Sequence, residues 1–213
     1  LVGHGALISG AKDEIRRLAE KLRIPVVSTL LGKGCFPEDH ELSLGMLGMH
    51  GTAYANMAVR DCDLIMSIGS RFDDRITGNA KTFCKNAKKI HVDIDASEQD
   101  RQVKVDVFIH ADAGEAAAAI LSLASPGDTS AWIETVTGFK RDYPLEYPKD
   151  ALSARMVIDR IHALSKGNAV VTTDVGQHQM WAAQFYKTRS PRDWISSGGA
   201  GTMGFGFPAA IGA

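Results

Sequence analysis

The sequence has few of the residues that mark metal sites, disulfide frameworks and membrane spans. Its 213 residues include three cysteines, and no Cys-x-x-Cys motif occurs among them. The seven histidines show neither His-x-x-x-His nor His-x-His spacing. These patterns indicate no disulfide framework and no metal site, and they favour a reducing compartment. No apolar run approaches the roughly 20 residues that a membrane-spanning helix needs.

The sequence also lacks an excess of basic residues. Lysine and arginine total 24, and aspartate and glutamate total 25, which gives a formal net charge of −1. Because nucleic acids and anionic membranes bind basic patches, we expect neither as a partner. The chain starts without a methionine and stops within a glycine-rich stretch. We therefore expect a fragment that is truncated at both ends and has lost any targeting segment.

What the sequence does contain is a regular alternation of apolar runs and amphipathic segments. Short β-branched runs predict buried strands, and helix-period patterns fall between them. Strands that are apolar on both faces and alternate with helices predict an α/β fold with a parallel sheet covered by helices. The predicted strands are 1–2, 24–29, 63–70, 89–95, 107–110, 169–174 and 194–197, and the predicted helices are 11–22, 53–60, 113–124, 131–143, 153–164 and 176–186.

Turn-forming residues interrupt this alternation in the middle of the chain. Residues 125–130 read Ser-Pro-Gly-Asp-Thr-Ser, and residues 144–148 contain two prolines. We predict a first α/β domain at residues 1–125, a helix and linker at 126–150, and the start of a second α/β domain at 151–213.

Candidate binding residues follow the predicted strands of the first domain, because parallel sheets bind ligands at the carboxyl ends of their strands. The Gly-His-Gly run at 3–5 indicates either close backbone approach to a ligand or only a tight turn. Residues 47–52 precede a helix, where N–H groups favour phosphate, although His50 could equally cap or pack. The Arg-Phe-Asp-Asp-Arg run at 71–75 could bind phosphate or form surface salt bridges. Asp93 and Asp112 could accept from a ribose hydroxyl or cap a turn.

The second domain carries two further candidate motifs. Gln177 and His178 open a helix directly after a strand, a position that suits a diphosphate, although His178 could simply face solvent. The last residues, 197–213, are dense in glycine, which lets backbone N–H groups approach a ligand closely. Together the two domains favour an elongated dinucleotide in the first and a second diphosphate ligand in the other.

At these motifs the sequence resembles the large catalytic subunits of the acetohydroxyacid synthase (acetolactate synthase) family, which are thiamine diphosphate enzymes. The likeness covers essentially the whole chain. The Arg-Phe-Asp-Asp-Arg and Gly-Gln-His-Gln-Met-Trp runs distinguish this family from pyruvate decarboxylases and glyoxylate carboligases. His4 and Ala200 depart from the usual residues. The matching segments are 44–52, 71–78, 91–95, 175–186 and 197–213.

The resemblance implies a Rossmann-like central domain that binds flavin adenine dinucleotide (FAD), followed by the truncated start of the thiamine diphosphate domain. Its implied flavin contacts are Gly3, Gly5, Thr29, Leu30, Leu47, Gly48, Met49, His50, Gly69, Arg71, Asp73, Arg75, Asp93, Ile94 and Asp112. Its implied thiamine diphosphate contacts are Val175, Gly176, Gln177, His178, Gly201 and Met203. Gln177, His178 and Met203 carry the catalytic roles, and Met203 props the cofactor in its bent form.

The reaction that the resemblance implies is acetolactate synthesis. Pyruvate is decarboxylated on thiamine diphosphate, and the two-carbon unit is transferred to a second 2-oxo acid, pyruvate or 2-oxobutyrate, in branched-chain amino acid biosynthesis. The alternatives are another thiamine diphosphate enzyme, such as a sulfoacetaldehyde acetyltransferase or an oxalyl-CoA decarboxylase-like protein, and a non-catalytic nucleotide-binding module.

The resemblance also implies parts that the chain does not contain. Mg²⁺ would be held by residues beyond position 213, and the catalytic glutamate would come from a neighbouring subunit of a homodimer or tetramer. A small regulatory subunit is a further expected partner. We expect the fragment alone to be inactive. The whole protein would be cytoplasmic in a bacterium or archaeon and organellar in a eukaryote.

Overall fold

The computed structural model describes residues 1–213 and has the predicted α/β fold with parallel strands. The strands are β1 (Val26–Ser28), β2 (Ser43–Met46), β3 (Leu64–Ile68), β4 (Lys88–Asp93), β5 (Val107–His110), β6 (Val171–Thr173) and β7 (Trp194–Ser196). The helices are α1 (His4–Ile8), α2 (Lys12–Leu22), α3 (Ala53–Asp61), α4 (Asp74–Thr77), α5 (Ala113–Leu123), α6 (Ser130–Asp142), α7 (Ala154–Ser165), α8 (Gln177–Phe185) and α9 (Gly206–Gly212).

The elements up to α6 form a first unit, residues 1–142, built on one parallel sheet. Val2 is an isolated bridge that pairs with Ser28 of β1 on one side and Ile68 of β3 on the other. The spatial order is therefore β2, β1, Val2, β3, β4, β5. If Val2 is counted as the first strand, this order is 3-2-1-4-5-6, the doubly wound arrangement of dinucleotide-binding domains. The order reverses between Val2 and β3, which is where such sheets bind their ligands.

Helices cover both faces of this sheet, as the apolar strands require. One core cluster joins α1, α2 and α5 to the strands and includes Ile15, Val92 and Ala117. The other joins α3 to the opposite face, with Ala55 and Ile65 among its buried members, and α6 packs against it. The sheet is therefore buried on both sides, and only the loops at its ends are free to bind ligands.

The elements from α7 onward form a second unit, residues 154–212. Strands β6 and β7 pair in parallel, and α8 and α9 pack against β6. A small core cluster joins this unit to the first, because Met46 of β2 packs with Ala183 of α8 and Trp194 of β7.

Local capping follows the sequence at several helix starts. The Thr52 hydroxyl accepts from the N–H of Ala55 at 3.2 Å, and the Ser153 hydroxyl accepts from that of Met156 at 3.2 Å. Asp112 caps α5 by accepting from the N–H of Gly114 at 2.8 Å. Such caps satisfy N–H groups that have no partner within the helix.

The structure departs from the predicted elements in a few places. The Gly-His-Gly run does not make a simple turn, because α1 begins at His4. Strand β2 and helix α4 were not predicted; β2 contains Gly45 at φ +70°, which breaks the strand pattern. Several predicted strands are one to three residues too long, because the predictions included flanking residues, such as Ile24, Val170 and Ser70, that lie outside the paired strands. No helix has the length and apolar content needed to cross a membrane.

Candidate functional site

A cavity of about 830 Å³ lies where the two units meet. Its first wall consists of the loops after β1 and β3 and the turn between β2 and α3, all from the first unit. Its second wall consists of the start of α8 and the loop after β7. This volume falls within the range of sites for cofactors and other small molecules, about 300–1,000 Å³. The cavity therefore joins the carboxyl ends of strands from two separate sheets.

The cavity brings together most of the residues that the sequence singled out. The predicted residues that line it are Thr29, Leu30, Leu47, Met49, His50, Gly69, Arg71, Asp73, Arg75, Val175, Gly176, Gln177 and Gly201. The predicted residues that lie outside its lining are Gly3, Gly5, Gly48, Asp93, Ile94, Asp112, His178 and Met203.

Gly3 and Gly5 allow two backbone segments to pack at the point where the strand order reverses. The N–H of Gly5 donates to the carbonyl oxygen of Gly69 at 3.0 Å. A Cβ atom on Gly5 would lie 2.9 Å from the Cα of Gly69, and one on Gly3 would overlap the Gly69 carbonyl oxygen. Gly69 itself has φ +63°. This close packing leaves no room for a side chain at Gly3 or Gly5. Packing alone therefore accounts for both glycines, without a bound ligand.

The arginine loop, residues 71–75, forms the rim of the first wall. The Arg71 guanidinium pairs with Asp73 at 2.8 Å, and that of Arg75 pairs with Asp74 at 2.7 Å. All four side chains are exposed, and such ion pairs contribute little to stability. Both guanidinium groups can therefore turn from a carboxylate to a phosphate at small cost.

Buried aromatic side chains support the arginine loop from below. Phe72 points into the core with φ +54°, and its ring lies 4.8 Å from that of His91. Nε2 of His91 donates to the carbonyl oxygen of Ser70 at 2.9 Å, while its Nδ1 is buried without a partner. Burial lowers the pKa of His91, so the ring is held neutral. Sequence reasoning missed this support, because nothing in the local pattern places His91 under the loop.

The acidic residues at the ends of β4 and β5 form hydrogen bonds with neighbouring groups of the protein. Asp93 accepts from the N–H of Asp95 at 2.9 Å, and the neighbouring Ile94 is exposed. Asp112 accepts from the Ser9 hydroxyl at 2.7 Å, and this hydrogen bond holds the pKa of Asp112 below its usual range. Capping therefore accounts for Asp112, and a ribose contact at either aspartate stays a prediction.

The second wall is organised by Asp174. Its carboxylate accepts from the N–H groups of Val175 at 2.8 Å and Gly204 at 2.8 Å. These backbone hydrogen bonds, that from Val175 foremost, lower the pKa of Asp174. The loop after β7, which contains Gly204, has open space around Gly201, since a Cβ atom there would meet nothing within 4 Å. Met203 lies in this loop with 81% of its surface exposed.

Gln179 is a site residue that sequence reasoning missed. It lines the cavity and is buried, and its Nε2 donates to the Ser196 hydroxyl at 2.6 Å. That hydroxyl also shares a hydrogen bond of 2.7 Å with Thr173. The three side chains tie α8 to β6 and β7 directly beneath the second wall. The only sequence feature that could have indicated Gln179 is its position as the third residue of a helix that follows a strand.

A buried ion pair fixes the two walls relative to each other. The Lys33 ammonium lies 2.7 Å from Oε1 of Glu38 and also donates to the carbonyl oxygen of Ala183 at 2.9 Å. Glu38 accepts from the hydroxyl of Thr188 at 2.9 Å. The side chains of Lys33 and Glu38 are 0% and 6% exposed. A second link is made by Gln184, whose Nε2 donates to the carbonyl oxygen of His50 at 2.8 Å.

The groups around the cavity suit phosphorylated ligands. The first wall offers two guanidinium groups at its rim, and the second offers the start of α8 beside a loop with open space around Gly199 and Gly201. The residues present therefore fit a dinucleotide on one side and a diphosphate on the other. No three His, Cys, Asp or Glu side chains are gathered in the structure in a way that could hold a metal ion.

Comparison with known families covers both units. Residues 1–120 match the family described as thiamine pyrophosphate enzyme, central domain. Residues 174–213 match the family described as thiamine pyrophosphate enzyme, C-terminal TPP binding domain.

Curated relatives align with the entire chain. It is 47% identical over 226 aligned positions to a probable acetolactate synthase large subunit of Methanocaldococcus jannaschii, and 48% identical over 218 to an acetolactate synthase large subunit of Parasynechococcus marenigrum. It is 47% identical over 220 positions to acetolactate synthase 2, chloroplastic, of Nicotiana tabacum. The chain spans 38%, 35% and 33% of the length of these relatives.

Proposed function

The chain belongs to the thiamine pyrophosphate (thiamine diphosphate) enzyme family, and from that premise we propose that it is part of an acetolactate synthase large subunit. The observation that carries the proposal is the cavity between the units. It sets a rim of guanidinium groups opposite a helix start and a glycine-rich loop. Identity of 45–48% to acetolactate synthase large subunits along the whole chain supports this assignment.

In the proposed reaction, pyruvate loses carbon dioxide and its two-carbon unit is joined to a second 2-oxo acid, pyruvate or 2-oxobutyrate. When bound, thiamine diphosphate supplies a cationic ring that accepts the electron pair released by decarboxylation. Gln177 and the N–H groups at the start of α8 would hold the diphosphate, with His178 beside them. Asp174 keeps the glycine-rich loop in place, and the exposed Met203 would contact the cofactor from that loop.

We assign FAD to the first wall. Arg71 and Arg75 would release their aspartate partners and bind the dinucleotide phosphates. The turn at 47–50 would contact the same ligand, because the N–H of Met49 donates to the carbonyl oxygen of Arg75 at 3.0 Å and couples that turn to the arginine loop. The FAD domain would then be residues 1–125, the connecting helix and linker 126–150, and the thiamine diphosphate domain from 151 onward.

Other parts of the proposed enzyme come from outside this chain. Mg²⁺ and the catalytic glutamate would be held by residues elsewhere in the protein or in a second copy of it, which makes a homodimer or tetramer the expected assembly. Relatives described as large subunits imply a small regulatory partner. A bacterial or archaeal protein would be cytoplasmic, whereas a plant protein would be chloroplastic like the tobacco relative.

The test uses the full-length protein that carries this chain. Purified protein should show the visible absorbance of bound flavin and should form acetolactate from pyruvate when thiamine diphosphate and Mg²⁺ are supplied. The double variant Arg71→Ala/Arg75→Ala should lose most of its flavin. Arg60→Ala is the matched control, because Arg60 is also exposed and paired, with Asp61 at 2.6 Å, but lies away from the cavity.

Three results would contradict the proposal. Full flavin retention by the double arginine variant would remove the dinucleotide from the first wall. Activity with sulfoacetaldehyde or oxalyl-CoA, and none with pyruvate, would assign the protein to another thiamine diphosphate enzyme. Protein that binds nucleotide but processes none of these substrates would be a non-catalytic binding module.

A further inference from the structure

Two cysteines lie side by side in the first unit, away from the cavity. Cys62 follows the last residue of α3, and Cys84 lies in the turn that precedes β4. Both thiols donate to the same acceptor, the carbonyl oxygen of Val59, each at 3.2 Å. The two sulfur atoms therefore cannot be further apart than twice that distance. Both cysteines are free thiols in the structure.

The two thiols differ in accessibility and in acidity. Cys62 is partly exposed, whereas Cys84 is buried. The contact with Cys84 lowers the pKa of the Cys62 thiol, and the same contact together with burial raises the pKa of the Cys84 thiol. An accessible thiol of lowered pKa next to a buried thiol is the arrangement of an attacking and a resolving cysteine.

The third cysteine provides an internal reference. Cys35 is fully buried in the other core cluster, and burial raises its pKa to about 12. It hydrogen-bonds to neither of the other cysteines, and its side chain has no exposure to solvent. If Cys62 and Cys84 are oxidised and Cys35 is not, the reaction therefore depends on the pairing of the two thiols.

We propose that Cys62 and Cys84 are a redox modification site that closes to an intramolecular disulfide when a low-molecular-weight disulfide is the oxidant. The Cys62 thiolate attacks one sulfur of the oxidant, forms a mixed disulfide and releases one thiolate. The Cys84 sulfur then loses its proton and attacks the Cys62 sulfur, which expels the second thiolate. Two protein thiols lose two electrons and two protons, and the oxidant becomes two free thiols. Disulfides of this kind in reducing compartments are usually transient and regulatory.

The experiment treats the native full-length protein with oxidised glutathione, alkylates the remaining thiols in denaturant and maps the peptides by mass spectrometry. We expect the Cys62 and Cys84 peptides to be linked with the loss of two hydrogen atoms, while Cys35 is alkylated. Dithiothreitol should restore alkylation at both positions. In Cys84→Ser, which has no resolving thiol, a glutathione adduct should persist on Cys62. The control Cys35→Ser should form the same linked peptide as the unaltered protein.

Two results would overturn the proposal. One is alkylation of both Cys62 and Cys84 after oxidation, which would show that no disulfide forms. The other is a stable glutathione adduct on Cys62 in the unaltered protein, which would show that Cys84 does not resolve it. Both readouts come from the unaltered protein, so they remain decisive if a serine variant fails to fold.

Discussion

Glycine serves different purposes on the two walls of the cavity. On the first wall, Gly69 touches the backbone of Gly5, which lies behind the wall in α1, and a Cβ atom at either position would collide with main-chain atoms. On the second wall, Gly199 and Gly201 stand in open space, where a Cβ atom would meet nothing within 4 Å. The same composition therefore gives a closed, internally packed wall on one side and a free-standing loop on the other. A glycine-rich run alone does not reveal which of the two it will form.

The supports beneath the walls differ in the same way. The first wall rests on buried rings, with Phe72 packed against His91. The loop of the second wall is held by hydrogen bonds to the carboxylate of Asp174, with little apolar cover. We therefore expect the first wall to be rigid and to report on global stability. The second should open locally and take its final shape from what binds to it.

The largest expected loss of stability comes from removing the buried ion pair that links the two walls. Lys33→Met removes the cation of the buried pair and leaves Glu38 with only its Thr188 hydrogen bonds, so stability should fall by about 3–5 kcal/mol. Urea unfolding measures the change. Lys88→Met is the matched control, because the Lys88–Asp106 pair is exposed and should contribute less than about 1 kcal/mol. Equal losses in the two variants would show that the buried pair does not hold the units together.

The next effect tests the two uses of glycine directly. Gly69→Ala combines a positive φ with a collision against the backbone of Ala6 and should cost about 3 kcal/mol. Gly199→Ala has neither problem and should change stability by less than about 0.5 kcal/mol. Urea unfolding of both variants decides the matter. The contrast between the walls fails if Gly199→Ala is as damaging as Gly69→Ala.

A smaller effect should appear as pH dependence in the first wall. Burial lowers the pKa of His91, so the folded state binds a proton less readily than the unfolded state, whose pKa is near 6.5. The contribution to stability is full above pH 6.5 and is lost as the pH falls below it. Urea midpoints at pH 7.5 and 5.5 should therefore differ more in the unaltered protein than in His91→Gln. An unchanged difference in the variant would exclude His91 as the cause.

The smallest effect should be confined to the second wall. Asp174→Asn weakens the hydrogen bond that the Gly204 N–H donates to the carboxylate. Amide hydrogen exchange at Gly204 should become several-fold faster, while the urea midpoint stays close to that of the unaltered protein. Exchange that accelerates throughout the sheet would mean that this loop is part of the global unfolding unit.

The elements of regular period were predictable from the sequence. Apolar spacing in α2 and the caps at Thr52 and Ser153 placed their helices, and apolar β-branched runs placed most strands. Strand β2 was missed because Gly45 interrupts its pattern with φ +70°. Helix α1 was missed because five residues are too few to show a helical period.

The candidate site was predictable only in part. The rule that ligands bind at the carboxyl ends of strands found the arginine loop and the start of α8, because both follow strands in the chain. The importance of Lys33 and Gln179 was not predictable, since each depends on partners far away in sequence or on another strand. The predicted roles of His178 and Met203 stay predictions.

The buried ion pair also bears on how this protein can be dissected into smaller pieces. The proline-containing segment at 143–150 invites a cut between the units, and each piece would keep its own strands. Such a cut would strip Lys33 of the Ala183 carbonyl and bare the apolar surface around Met46. The linker is therefore a convenient place to divide the sequence, but the two units depend on each other for stability across it. A piece designed for expression should keep both units, or replace Lys33 and Glu38 together.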